Sequence, residues 1–88
     1  MSNVEYIKLI GDVMDREFED ISEEGVTIKF STGGRKSRLD FVYSTRTGHI
    51  ICTDALDREV NEAILVDFTY ESISDFVVSS EIKAIFNR

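Results

Sequence analysis

The apolar residues of this 88-residue chain change their spacing partway along, and that change limits what the chain can fold into. Over roughly the first twenty residues they recur every three or four positions, the repeat of one face of an amphipathic helix. After Gly25 they alternate with polar residues, the repeat of a strand with one buried side. A helix followed by such strands favours an α+β fold, with helices covering one face of an antiparallel sheet.

The first helix is predicted to run from about Asn3 to Asp20. Ser2 and Glu5 have the spacing of a capping box, in which the hydroxyl and the carboxylate satisfy early backbone N–H groups. The apolar stripe extends past the middle of the segment and comprises Val4, Ile7, Ile10, Met14, Phe18 and Ile21.

Three strands are predicted next, near residues 26–31, 38–44 and 49–53, because each segment alternates and glycine-bearing turns separate them. The face with Lys29, Arg38 and Asp40 should be exposed. The opposite face should meet the helices and carries Ile28, Phe30, Leu39, Phe41 and Tyr43.

The remaining residues predict a short helix or turn near 55–61, a strand near 63–70 and a final helix near 72–86. Ser72 and Asp75 fit a second capping box, and Ser79-Ser80 is a weak point in that helix. The prediction is thus one small domain over residues 1–88: an N-terminal helix, an antiparallel sheet of three to four strands, and a C-terminal helix packed on one sheet face.

Charges are sorted along the sequence. Residues 1–24 hold eight acidic and two basic residues, residues 25–53 hold one acidic and five basic, and residues 54–88 hold eight acidic and three basic, for a total of −7. Such sorting produces a field that steers partners and says little about the fold. The acidic surplus disfavours general nucleic-acid binding and attraction to anionic membranes.

Other features narrow the functional class further. No apolar run reaches the length of a membrane span, and the first residues lack the layout of a secretory signal, so a cytoplasmic location is expected. His49 and Cys52 lie three positions apart on a strand, which puts them on opposite faces and disfavours a catalytic pair. With one histidine and one cysteine, no metal site or cofactor is predicted. We therefore expect no enzymatic activity.

The acidic residues of the predicted first helix suggest the main functional hypothesis. On that helix Asp12, Asp15, Glu19 and Glu23 would form an acidic face for a protein partner with a basic surface. The chain would then be a non-enzymatic protein-binding module, an inhibitor or an adaptor. If its partner is a nucleic-acid enzyme, the carboxylates would occupy the groove that binds the phosphate backbone. Small acidic α+β proteins of this kind are similar in class to phage-encoded inhibitors, toxin-immunity proteins and secretion chaperones.

The segment Gly33–Arg38 suggests the alternative. Two glycines allow close backbone approach to an anion, and the bases Arg35, Lys36 and Arg38, with Arg46, could contact phosphate or nucleic acid. The same glycines are more typical of an ordinary hairpin turn with solvating charges. Both a monomer and a homodimer remain open, because a strand edge and a dipolar surface each allow self-association.

Overall fold

The computed structural model describes residues 1–86, which form two helices and five strands. In chain order these are α1 (Asn3–Met14), β1 (Phe18–Glu24), β2 (Thr27–Thr32), β3 (Leu39–Ser44), β4 (His49–Asp54), β5 (Glu59–Ile64) and α2 (Tyr70–Phe86). The α+β architecture and the two terminal helices are confirmed, whereas the predicted strand count was too low.

Helix α1 begins where the sequence predicts. The hydroxyl of Ser2 accepts a hydrogen bond from the backbone N–H of Glu5 at 3.1 Å, which satisfies one of the free donors of the first turn. The helix ends at Met14, with Asp15 in the left-handed conformation at φ 57°. Gly11 permits the turn that follows, because a Cβ there would lie 2.9 Å from the carbonyl oxygen of Arg16.

The predicted extension of the first helix to Asp20 is wrong, because residues 18–24 form β1. A bulge lies between Glu19 and Ser22, with Asp20 at φ 51°. The extra residue in a bulge places positions three apart on the same side of a strand. Phe18 and Ile21 therefore both pack against the core with the spacing of a helix.

The five strands form one antiparallel meander in the order β1-β2-β3-β4-β5. The three central strands lie where the alternation predicts them. Strand β5 was predicted too late in the chain, because a second bulge and the buried Asn61 hide its alternation. The alternating residues Ile64 and Val66, which favoured a strand near 63–70, are 73% and 93% exposed.

Both helices pack on the predicted face of the sheet. The rings of Phe30 and Phe41 stack there at 4.9 Å, and Phe76 of α2 meets Phe41 edge-on at 6.0 Å. Helix α2 is capped by the hydroxyl of Thr69, which accepts from the backbone N–H of Ser72 at 3.2 Å, rather than by the predicted Ser72–Asp75 pair.

The helix does not break at Ser79-Ser80. The Ser80 hydroxyl donates to the Phe76 carbonyl at 2.7 Å and accepts from the side chain of Asn61 at 3.1 Å. The weak point in the sequence therefore becomes a polar contact between α2 and β5.

Candidate functional site

The acidic block of residues 17–24 lies along one free edge of the sheet. Strand β1 pairs with β2 on one side, and no strand within residues 1–86 lies on its other side. Its carboxylate side chains are exposed. We call this surface the β1 edge and define it by five residues: Glu17, Glu19, Asp20, Glu23 and Glu24.

The structure does not bring the four predicted acidic residues onto one helix face. Asp12 is exposed on α1, and Asp15 caps the end of that helix. Glu19 and Glu23 lie on β1, and the register places them on opposite faces of the sheet, because their β2 partners are Ser31 and Ile28. The acidic helix face is therefore wrong as a geometry, although two of its residues belong to the β1 edge.

Glu23 is tied to the start of α1. Its carboxylate accepts a hydrogen bond from the Asn3 side-chain amide at 2.8 Å. Glu17, Glu19 and Glu24 form no ion pair within residues 1–86. The β1 edge thus keeps three carboxylates whose charge no neighbouring base of the described chain offsets at contact distance.

Arg38 fixes the shape of the bulge from the helix-free face of the sheet. Its guanidinium donates to Asp20 at 2.6 Å, to Asp40 at 2.9 Å and to the Ser31 hydroxyl at 2.9 Å. The hydrogen bond with Asp20, followed by that with Asp40, raises the pKa of Arg38 further above its ordinary value. Sequence analysis missed this network because Asp20 and Arg38 meet only when the sheet forms.

The predicted basic cluster is divided in the structure. Arg35 and Lys36 are exposed in the loop between β2 and β3, while Arg38 is held by two carboxylates. Arg46 lies in the loop at the other end of β3, and a strand of six residues separates the two ends by about 20 Å. The loop Gly33–Arg38 therefore presents two free bases rather than four.

His49 and Cys52 lie on opposite faces of the sheet, as predicted. His49 is bonded to Glu62 at 3.1 Å on the helix-free face, and Cys52 is buried under the helices. Burial raises the pKa of the Cys52 thiol to about 11, so the thiolate nucleophile is scarce near neutral pH. Within residues 1–86 no group of three or more histidine, cysteine or acidic residues could hold a metal ion.

A further surface, which the sequence did not predict, lies on the outer side of the two helices. It consists of exposed apolar side chains, and we call it the outer helix face: Leu9, Val13, Val78, Ile82, Ile85 and Phe86. The signal that could have found them is that α2 carries more apolar residues than one buried stripe needs.

No helix among residues 1–86 combines the length and the apolar character needed to cross a membrane. In comparisons with known proteins, no family model, no curated protein and no solved structure matches the chain.

Proposed function

We propose that this chain is a non-enzymatic protein-binding module, an inhibitor or an adaptor, that captures a basic protein surface with the β1 edge. One observation carries the proposal: the most acidic segment of the sequence forms a strand that has a neighbour on one side only. A free edge offers backbone hydrogen bonds to an added strand, and the side chains beside it select the partner.

Charge makes a partner of another kind more favourable than a second copy at this edge. Two β1 edges brought together would oppose carboxylate to carboxylate, which is the device that proteins use to prevent edge-to-edge association. A segment rich in lysine or arginine would instead place positive charges opposite these carboxylates. Complementary charge of this kind mainly speeds encounter and excludes wrong partners.

The spacing of the carboxylates also suits a surface that normally binds phosphates. Five carboxylates occur between Glu17 and Glu24, a stretch of about 23 Å in an extended strand. A single nucleic-acid strand carries one charge per about 3.4 Å. The β1 edge carries the same sign of charge but is sparser, because Arg38 pairs with Asp20 and the other carboxylates project from both faces of the strand. This supports an inhibitor that occupies the basic groove of a nucleic-acid enzyme.

The bulge determines where a partner strand would pair. It interrupts the regular edge at Asp20, and Ser22–Glu24 remains as an uninterrupted stretch beyond it. A partner would form backbone hydrogen bonds along that stretch and contact Glu19 and Glu24 with its basic side chains. Because Arg38 holds Asp20 in place, the edge is ordered before the partner arrives.

The proposal predicts binding of a basic extended peptide at the β1 edge. An acetylated peptide of alternating lysine and threonine serves as the probe, and amide chemical shifts of the labelled protein serve as the readout. We expect the largest shifts in residues 18–24. The double variant Glu19→Lys, Glu24→Lys should weaken binding by about tenfold or more, because it removes two attractive charges and adds two repulsive ones.

The matched control is Glu59→Lys, Glu71→Lys, which makes the same change in net charge on exposed positions of β5 and α2. It should leave the affinity within about twofold, since these charges lie away from the edge. Equal weakening by both double variants would show that only total charge matters and would refute the proposed site. A second peptide with methylated backbone nitrogens tests strand addition, because it keeps the lysines but lacks N–H donors.

A further inference from the structure

The outer helix face is too apolar for a surface that only meets water. Its six side chains are 44% (Leu9), 60% (Val13), 40% (Val78), 50% (Ile82), 63% (Ile85) and 82% (Phe86) exposed. Together they present roughly 600 Å² of apolar surface, the upper end of what the largest patch on a typical monomer reaches.

Helix α2 has apolar residues on two opposite sides. One side packs on the sheet and is buried at Ile73, Phe76 and Val77. The other carries Val78, Ile82 and Ile85 at four- and three-residue steps, the spacing by which one helix packs along another. An apolar stripe on a helix usually packs against another element.

Val78 and Ile82 of this stripe line a wide, open groove with a volume of about 760 Å³. Charged residues also line it: Arg16, Asp75 and Lys83. Val13 and Met14 of α1 and Tyr70, Ser74 and Val78 of α2 are among its lining residues. Arg16 crosses from the end of α1 to Glu81 of α2 at 3.0 Å. The groove therefore lies alongside the exposed apolar residues, within the same layer of the molecule.

We propose that a second copy of this chain covers the outer helix face, with α2 packed antiparallel against α2 about a two-fold axis near residue 82. Covering both patches would bury about 1,200 Å² of apolar surface, and the polar rim would add to it. That area reaches the range of stable, specific protein–protein interfaces.

In the two-fold arrangement, the exposed Phe86 ring of each copy meets the groove of the other copy. With the axis near residue 82, Phe86 of each copy lies opposite Val78 of the other, which lines the groove. The most exposed aromatic side chain of the surface thus meets the apolar part of its partner's groove, twice per dimer. Large aromatic anchors in such grooves supply much of the affinity of protein interfaces.

Antiparallel packing also limits repulsion between the carboxylates of the two copies. The acidic residues of the α2 stripe, Glu71 and Asp75, lie near the start of the helix, and the apolar ones lie towards its end. Antiparallel helices keep the acidic residues of the two copies at opposite ends of the interface and oppose the helix dipoles. An anionic membrane is a poor alternative occupant, because these carboxylates and the net charge of −7 repel it.

Sedimentation of the purified full chain tests the proposal, at protein concentrations up to about 200 µM. We expect a reversible monomer–dimer equilibrium. Ile82→Glu should weaken the dimer about 100-fold, because it places a charge at the centre of the interface. Phe86→Ala should weaken it about 30-fold, because it removes the aromatic anchor. Val66→Glu is the matched control: it adds the same charge at an exposed valine outside the helices and should leave the dimer within about twofold.

Circular dichroism checks that each variant is folded. If Ile82→Glu does not fold, the dimerisation of Phe86→Ala tests the proposal instead. A wild-type chain that stays monomeric at the highest concentration overturns the proposal. So does a dimer that both helix variants leave intact, or one that Val66→Glu weakens equally. Native mass spectrometry showing monomers with a bound small molecule would assign the groove to a ligand instead. Binding of the basic peptide at the β1 edge should survive Ile82→Glu, so the two proposals fail separately.

Discussion

The β1 edge and the outer helix face are opposite in chemistry although one small core supports both. The β1 edge is a strand with free backbone groups and uncompensated carboxylates. The outer helix face is an apolar surface beside an open groove that Arg16, Asp75 and Lys83 help to line. Two surfaces that differ so much suit two kinds of partner, a basic segment for the first and a second copy for the second.

The two surfaces also differ in the contacts that hold them on the core. Strand β1 is held by backbone pairing with β2, by the Arg38–Asp20 ion pair and by the ring of Phe18, 5.0 Å from that of Phe30. Helix α2 is held by Phe76 on the sheet and by the polar contact of Ser80 with Asn61. Each set of contacts can therefore be removed by a separate substitution. That substitution should alter the surface that the contacts support and leave the other surface unchanged.

Phe18→Ala should have the largest effect on stability, lowering the free energy of unfolding by about 3 kcal/mol. The substitution removes a half-buried aromatic ring from the core and leaves space beside Phe30 and Gly11. Urea unfolding measures the loss, and hydrogen exchange should show faster exchange in β1 than in α2. Ile64→Ala is the control, since that exposed side chain on β5 should cost less than about 0.5 kcal/mol.

Peptide binding at the β1 edge should weaken in the folded Phe18→Ala protein, whereas dimerisation should be unchanged. If both fall together, the two surfaces are coupled through the core and the comparison between them fails.

Asn61→Ala should have the next largest effect, about 2 kcal/mol. The buried Asn61 amide donates to Ser80, and its oxygen accepts from the Lys83 ammonium at 2.9 Å and from the backbone N–H of Glu62 at 3.0 Å. Its loss leaves these groups without their partner. Denaturant unfolding measures the cost, and Glu59→Ala is the exposed control on the same strand. In this variant dimerisation should weaken and peptide binding should persist. Weaker peptide binding with unchanged dimerisation would contradict the proposal that Asn61 holds α2 in place.

The sequence predicts those parts of the fold that depend on neighbours along the chain. The Ser2 cap, the three alternating central strands and the helix-facing residues such as Phe30 and Phe41 follow from local spacing. The two outer strands do not, because each contains a bulge. In β1 the bulge gives Phe18 and Ile21 a helical spacing, and in β5 a buried polar residue, Asn61, occupies a core position.

The candidate sites were predictable in composition rather than in geometry. Glu19 and Glu23 were predicted to belong to a binding surface, but on a helix face instead of a strand edge. The binding of Arg38 to Asp20 joins residues 18 positions apart, so no local pattern reveals it. The outer helix face was missed because exposed and buried apolar residues look alike in a sequence.

Salt should separate the two surfaces, with the smallest effects of the three. Raising the salt concentration from about 50 to 500 mM should weaken peptide binding at the β1 edge by about tenfold, because salt screens exposed charges. The same change should strengthen the dimer by about two- to threefold, since it screens repulsion between two chains of net charge −7 without weakening apolar contact. Sedimentation and peptide titration in matched buffers measure both. A dimer that dissociates as salt rises would mean that charge, rather than the outer helix face, holds the copies together.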